Sequence, residues 1–204
     1  MFRFVAGRRK PVAEGGTGVA ADTGDALDIA LMARVVARDL AAFETLYRIY
    51  DPRLARFLGL MVTRRTIVEE VLNDTMLVVW NRAATYNHQS KVSTWIFAIA
   101  YRTALKALHR YDEPHADPVD EPAAEQPGPE QHHADGQTRA ALMRTLDMLS
   151  NEQRSVLVLT YFHDLPYAEI AQIMSCPVDT VKTRVFHARR RLRALLSGEL
   201  GDWL

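Results

Sequence analysis

The chain has 204 residues, 48% of them apolar, and its 25 Lys/Arg balance 25 Asp/Glu to a formal net charge of zero. That length and composition suit one large globular domain or two small ones. No apolar run approaches the roughly 20 residues that span a bilayer, no signal-peptide pattern opens the chain, and the single cysteine, Cys176, excludes an internal disulfide; the expectation is a cytoplasmic protein without membrane insertion.

The neutral total conceals blocks of charge. Residues 1–111 carry 16 Lys/Arg against 10 Asp/Glu, residues 112–136 carry eight acids and no Lys/Arg, and residues 178–193 carry six Lys/Arg and one acid. In chain order, residues 1–25 are rich in Gly, Ala and Thr with Arg8, Arg9 and Lys10 clustered, and read as a flexible arm.

Residues 26–111 form a first helical domain. Phe43, Leu46, Tyr47, Tyr50, Leu54, Phe57, Leu58 and Met61 repeat at three-and-four spacing, the mark of one buried helix face. The interior Pro52 predicts a kink or break within it. A second helix, Thr66 to about Arg82, buries Val68, Val71, Leu72, Thr75, Met76, Val78 and Val79. Its opposite face then holds Glu69, Glu70, Asn73, Asp74, Leu77 and Trp80, a mixed acidic and apolar patch of the kind that binds a partner. A third helix, from near Val92 to Arg110, buries Phe97, Ala100, Tyr101, Ala104 and Leu108. It sets Trp95, Arg102, Lys106 and Arg110 along one side with His109 nearby, and basic groups that track a backbone beside an aromatic that stacks bases suit a single strand of nucleic acid.

Residues 112–136 hold five prolines among acids and histidines and form a linker too polar to bury a core. Its acidity also suits an extended strand lying in a basic channel of a partner. Residues 137–197 form a second domain, whose first helix buries Leu142, Leu146 and Leu149, and residues 198–204 form a tail. Ser150-Asn151-Glu152-Gln153 is a capping box that starts a helix, and Pro166 and Pro177 each suit the first position of a further one. Tyr167 to Arg184 then reads as a short helix, a tight turn and a second helix, a helix-turn-helix. In the second of these, Val181, Val185, Ala188 and Leu192 face inward. Thr180, Lys182, Thr183, Arg184, His187 and Arg191 are left for a major groove, where Arg pairs with guanine and Thr and Lys reach phosphates and base edges. With almost no strand signal the fold class is all-α, two small helical domains on a flexible acidic linker.

Leu149 to Leu195, with Leu-Ser-Asn-Glu-Gln-Arg154, Leu-Pro-Tyr-Ala-Glu-Ile-Ala171 and Cys-Pro-Val-Asp-Thr-Val-Lys-Thr-Arg184, resembles the C-terminal region of extracytoplasmic-function (ECF) sigma factors, which reads the minus 35 promoter element. Val68-Glu-Glu-Val-Leu-Asn-Asp-Thr-Met-Leu-Val-Val-Trp80 resembles that family's polymerase-docking helix, and Val92 to Arg110 the segment that captures the melted minus 10 strand. The resemblance implies a factor that binds the β′ and β subunits of RNA polymerase core and promoter DNA, under an anti-sigma protein. Two departures stand out: Arg102 and Lys106 occupy positions where the family usually has Asn and Asp, and Ser175 stands where the turn commonly has glycine.

The competing reading is a helix-turn-helix transcription regulator with an N-terminal sensor or dimerisation domain. No phosphate loop, nucleophile elbow or metalloprotease helix occurs, so no enzyme activity and no cofactor are expected. Neither is a metal, because His115, His132 and His133 lack ligands at metal-site spacing.

Overall fold

The computed structural model describes residues 18–62, 65–112 and 144–201. Its helices are α1 (Gly18–Val36), α2 (Leu40–Met61), α3 (Arg65–Arg82) with a 3-10 turn at Ala83–Thr85, α4 (Val92–Asp112), α5 (Asn151–Tyr161), α6 (Tyr167–Ile173) and α7 (Val178–Gly201), with residues 144–147 also helical. No strand occurs among the described residues. The expected acidic linker, apart from Asp112, lies outside the described residues, as do Leu142, the three linker histidines and residues 1–17 of the expected arm.

The elements follow local rules. Asp39 caps α2 by accepting the amides of Ala41 and Ala42 at 3.0 and 3.1 Å. Arg34 binds the same carboxylate and, with those amides, holds it below the usual carboxylate range. Ser150 and Gln153 exchange both bonds of the predicted capping box. Pro166 caps α6 and Pro177 directly precedes α7, one residue outside the first helical position expected for each. Both sites tolerate proline for the same reason, since neither amide has an intrahelical partner.

Three expectations are corrected. The helix containing Pro52 is not broken: α2 runs through it for 22 residues. Pro52 and Arg48, whose carbonyl loses its helical donor, both lie on the exposed side, where water can replace the missing bond. Helix α1 begins at Gly18, inside the segment expected as an arm. It buries Leu31, Met32 and Val35 yet leaves Leu27, Ile29 and Val36 exposed, so no clean apolar face marks it in the sequence. At the other end α7 continues to Gly201, through the start of the expected tail.

Buried residues of the two halves also join in one continuous cluster. The Phe57 and Phe97 rings lie 5.4 Å apart, and the His163 imidazole of the second half meets them edge-on at 5.9 and 5.0 Å. Arg154, buried, donates to the carbonyls of Leu146 and of Met61 in the first half, at 2.9 and 3.1 Å, and to the Asp147 carboxylate at 2.7 Å. At the other end of the contact Glu169 of α6 accepts from Thr94 at 3.0 Å and pairs with Lys91 at 3.0 Å.

His163 gives this contact a pH dependence. Its Nε2 is buried without a partner, and burial, aided by the charges of Arg53 and Arg56, pushes the imidazole down to about 4, with Asp164 opposing. Separated or unfolded, the ring returns to about 6.5. The packed state therefore binds the proton less well, so its stability is complete above about pH 6.5 and falls as pH drops from there toward 4. Denaturant titrations should show this loss between pH 7 and 5 in the wild type and a flatter profile in His163→Phe; equal profiles would contradict it.

Candidate nucleic-acid interface

Helix α4 has two working sides. One packs on α6: Thr94 bonds Glu169, and buried Tyr101 is pushed up by burial, with Glu152 and Cys176 adding to the rise and Arg184 opposing it. The other lines a groove of about 430 Å³ shared with α3, where Trp95, Arg102, Lys106 and Arg110 meet Asp74, Leu77, Arg82 and Thr85. Trp95 is half-buried against Tyr86, 5.7 Å between ring centroids, and Arg102, Lys106, His109 and Arg110 are exposed. The predicted basic stripe is thus assembled with one aromatic edge.

Arg110 pairs with Glu70, whose carboxylate also accepts from Tyr111 at 2.8 Å. Arg110 and then Tyr111 hold the Glu70 carboxyl below its ordinary value. This splits the α3 patch that was expected to act as one face. Glu70, Asp74 and Leu77 look toward the groove. Asn73 accepts from Tyr47 at 3.0 Å on the α2 side, and Glu69, four residues before it, is exposed. Trp80 is half-buried, its ring 5.0 Å from Phe43 and beneath the Arg38 guanidinium at 5.2 Å, so part of that ring serves the fold. Leu77 stays 57% exposed, a large apolar side chain beside Asp74 at the edge of the groove. Arg82 and Thr85 join the groove outside the sequence expectation, because Arg82 caps the 3-10 turn and Thr85 ends it, where no helical spacing connects them to the stripe.

In α7, Val181, Val185 and Ala188 are buried as the spacing predicts, with Leu192 half-buried. Lys182, Thr183, His187 and Arg191 are exposed, and Thr180 and Arg184 are half-buried. Lys182 pairs with Asp179 at 2.9 Å, and the Thr183 hydroxyl donates to the Asp179 carbonyl at 2.9 Å. Arg184 leans toward the turn, its Nη1 3.8 Å from the Cys176 sulfur. Phe186 is 63% exposed beside His187 and carries no helical signal that separates it from a core position.

The turn between α6 and α7 closes as a Schellman motif: Cys176 N–H donates to Ala171 O at 3.0 Å and Ser175 N–H to Gln172 O at 3.3 Å. Ser175 sits there at φ 52°, in the left-handed region.

Sequence comparison bears on both halves. Residues 46–113 match the family profile described as Sigma-70 region 2, and residues 139–192 match Sigma-70, region 4; together they cover more than half of the chain. The ECF RNA polymerase sigma factor RpoE of Cereibacter sphaeroides is 28% identical over 179 residues, 86% of this chain and 99% of its own length. SigM of Mycobacterium tuberculosis is 29% identical over 83% of this chain and 84% of its own length, and the sigma-E factor of Escherichia coli 28% identical over 81% and 92%. The chain belongs to the ECF sigma factors. It is an alternative sigma factor that directs transcription initiation, and the regulator reading is not favoured. Among solved structures, CnrH in complex with the cytosolic domain of CnrY is similar in fold, with a TM-score of 0.66 at 23% identity over 84% of this chain and 98% of that one. RpoE of Bartonella quintana, solved with the anti-sigma factor NepR, follows at 0.58 and 22% over 76% and 96%.

The helix-turn-helix of this sigma factor carries a local strain that glycine would relieve. Ser175→Gly should raise stability by about 0.5–1 kcal/mol, since only the left-handed conformation distinguishes the two residues there. Chemical denaturation checks this; a loss of stability would show that the Ser175 side chain is needed in the turn.

Proposed function

We propose that residues 26–111 dock on polymerase core and hold the minus 10 strand, and that residues 137–197 read the minus 35 element, with residues 112–136 passing between them. The geometry of α4 supports the first assignment: Trp95 at the groove edge offers a stacking face, and Arg102, Lys106, His109 and Arg110 offer exposed cations along the same helix. Exposed Lys182, Thr183, His187 and Arg191, with Thr180 and Arg184 on the same helix, support the second. For the polymerase we assign Asp74 and Leu77 as the centre of contact, flanked by Glu69, Glu70, Asn73 and Trp80, because Asp74 and Leu77 are exposed at the groove lip.

Both DNA faces are open, yet they lie on helices packed against each other through α4 and α6. The minus 10 and minus 35 elements are about 25 base pairs apart, roughly 85 Å of duplex at 3.4 Å per pair. A closed chain cannot hold both. The 25 residues 112–136 that join the halves have a contour of up to about 82 Å at about 3.3 Å each, which with the width of the halves themselves lets them part and span the promoter. Initiation on this reading requires the halves to separate on polymerase core.

The protein acts by binding and has no catalytic role of its own. Its displaced ionisable groups, Asp28 with Tyr50 and Asp39 with Arg34, serve packing and capping. No described helix is long and apolar enough to cross a membrane, and its place of action is that of the polymerase, the cytoplasm. By analogy with the Bartonella RpoE, solved with the anti-sigma factor NepR, an anti-sigma protein is the expected regulator.

Asp74→Lys should weaken association with core polymerase by at least about tenfold while leaving the melting temperature unchanged, because Asp74 is exposed, whereas Glu70 is paired with Arg110 of α4. Retained binding would move the docking face elsewhere. Arg184→Ala should cost about 1–3 kcal/mol on the minus 35 element and relax its sequence preference; unchanged selectivity in a competition assay would remove Arg184 from base reading.

A further inference from the structure

Lys91 extends the basic stripe of α4. It lies four residues before Trp95 and eleven before Arg102, so at 1.5 Å per residue and 3.6 residues per turn it falls on the same side, about 6 Å beyond the tryptophan. Its ammonium and the Thr94 hydroxyl converge on one anion, the carboxylate of Glu169, each taking a different oxygen at 3.0 Å. Thr94 is buried and the Glu169 side chain only 15% exposed, so the carboxylate is seated between the halves; the Lys91 stem remains about half exposed. Asp25 of α1 also lies 3.8 Å from this ammonium. Glu169, followed by the charges of Glu169 and Asp25 together, holds Lys91 above its ordinary value despite partial burial.

A cation, a hydroxyl donor and the positive end of a 21-residue helix suit a phosphate as well as they suit a carboxylate. We propose that Lys91 and Thr94 form a phosphate subsite for the promoter strand, and that Glu169 occupies it in the closed arrangement. This rests on the assignment of the minus 10 strand to α4. Closure and strand capture then compete for one site: a strand phosphate displaces Glu169 and frees the second half, and Glu169 excludes the strand until the halves part.

The test is binding of a fluorescein-labelled oligothymidylate to the full chain, followed by anisotropy across a salt series. A site with Glu169 as its competitor demands opposite signs. Glu169→Gln removes the competing charge and should tighten binding about 5-fold or more. Lys91→Ala removes a phosphate contact and should weaken binding, with the slope of log K against log salt about 0.7 shallower. A mere latch between the halves would have both substitutions tighten binding, since each breaks it, and that result overturns the proposal. So does unchanged affinity in Glu169→Gln, or no binding by either chain at about 100 µM, the weak end of non-specific affinity. Trp95→Ala and Arg102→Ala separate the underlying assignment. If they lower affinity while Lys91 and Glu169 do not matter, only the subsite fails; if they have no effect, the strand does not lie on α4.

Discussion

The guanidinium of Arg154 is the charge on which the contact between the halves turns. It is buried, and it satisfies a carbonyl at the end of α2, a carbonyl of its own half and the Asp147 carboxylate. A buried cation is tolerable only while such partners are in place, and losing one leaves a polar group with nothing to bond. Water can supply those bonds as the halves separate. The seam also carries a neutral histidine against two phenylalanine rings and a glutamate shared by a lysine and a threonine, beside the apolar residues that join the halves. An interface so rich in polar groups that water or a ligand can satisfy is fitted for opening, whereas an all-apolar seam of the same extent would strongly resist it.

Helix α4 transmits this constraint to DNA. Thr94 and Tyr101 on one side belong to the closed contact, and Trp95, Arg102 and Lys106 on the other belong to the groove. One rigid element therefore feels both the second half and the nucleic acid. The departures from the family pattern at Arg102 and Lys106 add two exposed cations to the groove side, which raises the share of backbone attraction in what this helix does.

Helices α2, α3 and α4 were legible because each buries a continuous stripe, and the start of α5 because a capping box is a local pattern with a local cause. The inward face of α7 was legible for the same reason, and Ser175 for its place in a turn that favours glycine. Helix α1 was not, since its apolar residues surround it. The uninterrupted passage through Pro52 depends on solvent reaching the Arg48 carbonyl, which no spacing reveals. The joining of buried residues across the two halves was also hidden: Phe57 and Phe97 read equally well as the interior of one domain, and nothing in the order of residues announces that His163 will sit against them. Pairing of Glu70 with Arg110, 40 positions away, divides the α3 patch for the same reason, as a long-range contact leaves no trace in periodicity.

The distance between the halves is the most direct measure of whether this sigma factor works by separation. With donor and acceptor dyes at Asn81→Cys on α3 and Arg189→Cys on α7, in a Cys176→Ser background, energy transfer reads that distance in the free chain and in an initiation complex with core polymerase and promoter DNA. Both positions are exposed. The account predicts a short distance in the free chain and an increase of several tens of ångströms in the transcribing complex. An active complex that keeps the free-chain distance would contradict it.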